Sequence, residues 1–170
     1  MGLLDECSES MIANKSIIIK LGIAKFVQNT FFFALYYSIY VKPPPIDACA
    51  DTWWALGAQS LDCGPLLAIG VIGYLIGAYY DNFTLFAIFF FLIHAPLGLF
   101  VYTPLIVITG KSLLTGDGLT CSAANPDAGF LLVTYELEVW LYTTYTAMMC
   151  VILYLACGKV VLKSFGYELL

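Results

Sequence analysis

Four long apolar runs fill most of this chain and leave too little polar sequence between them to enclose them in water. They cover residues 17–41, 66–80, 84–109 and 130–157. A helix needs about 20 mainly apolar residues to cross the roughly 30 Å hydrocarbon layer of a bilayer, so each run is read as one crossing. Hydrophobic residues make up 61% of the chain and charged residues 11%, where soluble domains are about half apolar and about a quarter charged. The solvent for this fold is therefore lipid.

Barrel strands alternate over roughly ten residues, a pattern unlike Phe86-Ala-Ile-Phe-Phe-Phe-Leu-Ile93. The expected fold is all-α: an integral membrane four-helix (tetraspan) bundle, one domain over residues 1–170, with two short outer loops. The second run spans only about 22 Å at the helical rise. Gly64-Pro65 starts it and Asp81-Asn82 supplies a polar turn, which predicts a tight hairpin of runs two and three. Pro96 and Pro104 are expected to break the third run.

The seven basic residues are all lysines. Lys15, Lys20 and Lys25 precede or open the first run, Lys159 and Lys163 follow the last, and Lys42 and Lys111 flank the longer loops. The positive-inside bias then places both termini in the cytoplasm. No removable signal peptide is expected. The secretory pathway or plasma membrane is favoured, with an organellar inner membrane as the alternative. The sequons at Asn14 and Asn82 fall on the cytoplasmic side and are predicted to stay unused.

Of the six cysteines, Cys49, Cys63 and Cys121 lie in outer loops, where any two could pair as a disulfide. Cys7 is read as cytoplasmic, and Cys150 and Cys157 as inside the last run, so only the loop thiols are expected to meet in an oxidising compartment.

Ionisable groups in hydrocarbon are functional candidates because each is costly without a partner. Lys25, Gln28 and Asn29 form one polar patch on the first helix. The simpler expectation for Lys25 is that its ammonium snorkels to the headgroups. Glu136 and Glu138 are about 200° apart around a helix and cannot face one site. Glu138 continues instead through Tyr142 and Tyr145 as a polar aromatic stripe. His94 cannot build a two-histidine metal box alone, and is expected to hydrogen-bond a neighbouring helix. Gly70, Gly73 and Gly77 place small residues along the second run, with Gly73 and Gly77 as a GxxxG pair for close helix packing.

Without a phosphate loop or a nucleophile–base set, the chain is not expected to be an enzyme or to hold a metal or cofactor. Bound lipid is expected, and the net charge of −5 argues against nucleic acid. The expected function is that of a non-catalytic accessory or structural subunit in a larger membrane complex, with other membrane subunits or a second copy as partners. The alternative is a small oligomeric ion or proton channel or transporter using Glu138 and Lys25.

Overall fold

The computed structural model describes residues 2–40, 65–114 and 126–165, together with Ala50 and Trp54. Among them the chain is helical almost throughout and contains no strand. Helix α1 is Leu3–Ala13 and α2 is Lys15–Tyr40. Helix α3 is Leu67–Tyr79. Residues 83–114 form one continuous helix, α4, and residues 126–164 another, α5. Each run read from hydropathy falls on one of α2 to α5, with Leu66 and Tyr80 just beyond the ends of α3 and Val41 outside the described residues. Helix α1 was not expected, since its only buried residues are Cys7 and Met11, too few to betray a helix in a Ser- and Glu-bearing stretch.

Two helical segments are long and apolar enough to cross a membrane, Lys15–Leu35 and Phe83–Ile108. Only 24% and 22% of their apolar windows are buried in the chain itself. The core helix of a water-soluble domain would be mostly covered, so this exposed apolar surface points to membrane association. Leu67–Tyr79 and Tyr142–Gly158 are apolar but shorter.

The α3–α4 hairpin is specified locally. Asp81 takes φ 58°, the left-handed region that aspartate tolerates better than most non-glycine residues. The Asn82 amide then reaches back to the Gly77 carbonyl at 2.8 Å, a Schellman-type close that satisfies a carbonyl at the end of α3. Asn82 also caps α4, its side-chain oxygen accepting from the Leu85 amide at 2.9 Å. Lys15 at the start of α2 reaches this turn and pairs with Asp81 at 2.9 Å. Both partners are partly exposed, so Lys15→Ala is expected to lower stability by less than about 1 kcal/mol, which thermal unfolding in detergent would measure.

Helix α1 ends at Asn14, whose carbonyl accepts from the Ile17 and Ile18 amides and so starts α2 without a loop. It packs on the far end of α5. There the Leu155 carbonyl accepts from the Ser10 hydroxyl at 2.8 Å and the Asn14 amide at 3.1 Å. Cys7 and Cys157 join the same buried cluster with their thiols in contact, and both are free. The α1 helix folds back onto α5, which hydropathy cannot show. Cys49, Cys63 and Cys121 lie outside the described residues.

Helix α4 is not broken by its prolines. Ile88–His94 and Leu97–Tyr102 are π-helical, a wider turn that absorbs Pro96, and the Thr103 hydroxyl donates to the Gly98 carbonyl at 3.1 Å just before Pro104. The widening also sets what α4 buries. Phe86, Phe90, His94, Gly98, Tyr102 and Ile106 are all buried, at a constant spacing of four. In an ideal α-helix each such step overshoots a full turn by about 40°, so five steps would carry Ile106 about 200° away from Phe86. A π-helix closes its hydrogen bonds one residue later and takes up that drift. Six side positions therefore stay on one face.

Candidate functional site

The buried faces of four helices converge on a small polar cluster. On α2 the buried stripe runs Ile18, Gly22, Lys25, Asn29, a four-three-four spacing that holds one side of the helix. Gly22 lets α3 approach: a Cβ there would stand 2.5 Å from Leu75 Cδ2. On α3 the stripe is Leu67, Gly70, Val71, Tyr74, Gly77 and Ala78. On α5 it includes Tyr145, Met149 and Ile152.

Lys25 is 0% exposed. Its Nζ lies over the Tyr145 ring, 3.7 Å from the centroid, a cation–π distance, and has no hydrogen-bond partner. This corrects the expectation that Lys25 snorkels. Its side chain is enclosed within the protein, because its Cα sits on the α2 face covered by α3 and α5. Asn29, one turn on, is also buried, with Nδ2 unpartnered. Gln28 is only half-buried, so the patch read from sequence divides between interior and flank.

His94 is likewise 0% exposed. Its Nε2 and the Tyr145 hydroxyl are 2.9 Å apart. Its Nδ1 lies near the Leu67 backbone but outside hydrogen-bond geometry. Tyr74 sets its ring edge-on to His94, Phe90 and Phe86, at 5.4, 5.4 and 5.9 Å between centroids, and its hydroxyl is buried without a partner. The structure thus brings Lys25, His94 and Tyr145 into one contact chain and adds Tyr74. Sequence reasoning missed Tyr74 because a tyrosine among Gly, Ile and Leu reads as packing. Its place on the Gly70–Gly77 face was the available signal.

Tyr142 stacks on Tyr145, with centroids 6.2 Å apart and planes 16° from parallel. Its hydroxyl bonds the Thr103 hydroxyl of α4, and Tyr102 packs against both rings. Glu136 and Glu138 lie on the α5 backbone, but their side chains fall outside the described residues.

The glycines of α3 form the seam with α4. A Cβ on Gly70 would stand 3.0 Å from His94 Cβ, one on Gly73 would fall 2.0 Å from the Phe89 ring, and one on Gly77 would lie 2.4 Å from the Phe86 backbone nitrogen. Small residues here let α4 come close enough for His94 and Tyr74 to touch. The GxxxG pair is consumed by a contact inside the chain.

Chemically, the cluster offers a lysine amine without a carboxylate neighbour among the described residues, several hydrogen-bond donors, and aromatic rings. Comparison with protein-family models, with curated proteins and with solved structures yields no match to this chain.

Proposed function

We propose that this chain is a four-crossing membrane protein that serves as a non-catalytic accessory subunit of a larger membrane complex. The observation that carries this reading is the distribution of apolar surface. Ile23, Val27 and Phe31 on α2, and Leu92, Phe100 and Val107 on α4, stand exposed, while Lys25, Asn29 and His94 are turned inward. That inside-out order suits lipid and neighbouring helices, and the uncovered flanks of α2 and α4 leave room for partner subunits and bound lipid.

Helix α1, the 80–82 turn and the end of α5 gather at one end, which supports an even number of crossings with both termini cytoplasmic. The secretory pathway or plasma membrane fits best. Glycan attached at Asn14 or Asn82 would invert this topology. Purification of the tagged chain in mild detergent is expected to bring stoichiometric partners, and a chain that elutes alone as a stable monomer would sink the subunit reading.

A second reading, a small oligomeric proton or ion transporter, draws support from the contact chain Lys25–Tyr145–His94 deep in the fold. Glu138, two turns from Tyr145 on α5, would complete its outer end. Flux into liposomes that falls with Glu138→Gln is the expected result, and flux no greater than in empty liposomes removes it.

A further inference from the structure

Among the described residues, four buried polar atoms lack hydrogen-bond partners: Lys25 Nζ, Asn29 Nδ2, Tyr74 Oη and His94 Nδ1. They come from α2, α3 and α4, and Tyr145 of α5 links two of their side chains by its ring and its hydroxyl. Buried polar groups in folded proteins are nearly always satisfied, and each exception calls for an explanation. Here the exceptions cluster, and they share a sense. An ammonium and a side-chain amide nitrogen only donate, and a phenol donates freely. If Tyr145 donates to Nε2 of His94, the imidazole proton is on Nδ1, a fourth donor.

Water would satisfy individual donors, but a buried ammonium without a counter-charge gives up its proton, so Lys25 keeps its charge here only beside a negative partner. No carboxylate accompanies Lys25 among the described residues. What fits a donor-only cluster around one positive charge is a single small negative one. The rings of Tyr74 and Tyr145 border the group, and one compensating charge calls for a monovalent ion rather than a divalent one.

We propose that Lys25, Asn29, Tyr74 and His94 form an intramembrane binding site for one small monovalent anion, of the size and charge of chloride or bromide. The anion neutralises Lys25 and ties α2, α3 and α4 together. The site is closed to the surface at Lys25 and His94, so it binds without requiring flux.

The test is thermal unfolding of the purified full chain in detergent, in sodium chloride, sodium bromide or sodium gluconate at equal ionic strength. An anion that binds only the folded state raises its melting temperature by linkage, and at about 100-fold excess over Kd the rise is about 5–10 °C. The shift should appear in chloride and bromide, vanish in Lys25→Met, and persist in the surface control Lys20→Met. Tyr74→Phe keeps the ring and its packing and should shrink the shift several-fold, which covers the case in which Lys25→Met fails to fold. Equilibrium dialysis of the wild-type chain against labelled chloride should count about one ion per chain. Equal melting temperatures in gluconate and chloride, or an undiminished shift in Lys25→Met or Tyr74→Phe, overturns the proposal.

Discussion

Gly77→Ala is expected to unfold the α3–α4 hairpin more severely than any other single-methyl addition along α3. The new Cβ would lie 2.4 Å from the Phe86 backbone nitrogen and 2.7 Å from its Cα, so relief requires the two helices to separate. Overpacking of this kind costs about 1–3 kcal/mol, and more where backbone must move. A loss of about 3 kcal/mol or more is expected here. Gly73→Ala meets the Phe89 ring instead, and a ring can turn away, so its loss should be smaller. Ile72→Ala, on the exposed side of α3, should change little. Thermal unfolding of the three purified variants checks the order; a Gly77→Ala protein as stable as Ile72→Ala would refute the close contact.

The second large effect is a split at Tyr145. Tyr145→Ala removes the ring beneath Lys25, the stacking partner of Tyr142, and the neighbour of His94 and Tyr102. In lipid the transfer part of a large-to-small change falls away, because the surroundings are as apolar as the core. The cavity and the lost ring contacts remain, and together they are expected to cost about 2–4 kcal/mol. Tyr145→Phe keeps those ring contacts and loses the hydrogen bond to His94 Nε2, about 1–2 kcal/mol once the stranded nitrogen is included. Comparable losses in the two variants would mean that the hydroxyl, not the ring, organises the cluster.

The positions of α2 to α5 were legible because apolar length in a chain with so few charges admits little else. The hairpin turn was legible at Asp81 and Asn82, whose side chains tolerate or create the backbone geometry found there. The small-residue face of α3 could also be read, although not its partner, since GxxxG says only that something comes close. The site was legible in pieces. Lys25, His94 and Tyr145 each stood out as polar in an apolar run, but their sequence separation hides that they touch. Position near the start of an apolar run does not fix how deeply a lysine such as Lys25 is enclosed. The spacing of Ile18, Gly22, Lys25 and Asn29 already placed it on an inward stripe. Helix α1 gave too few apolar points for any periodicity to emerge.

The constant four-residue spacing along α4 makes that helix sensitive to chain length rather than to side-chain identity. Phe86 and Phe90 face α3 from one end, and Tyr102 meets Tyr142 and Tyr145 of α5 toward the other. The widened turns between them hold the two contacts in phase. Deleting the single exposed residue Leu92 removes no buried atom, yet it shifts everything beyond it by one helical position relative to everything before. His94, Gly98 and Tyr102 would then leave the interior together. For this helix, the number of residues between Phe86 and Ile106 is as much a part of the design as which residues they are.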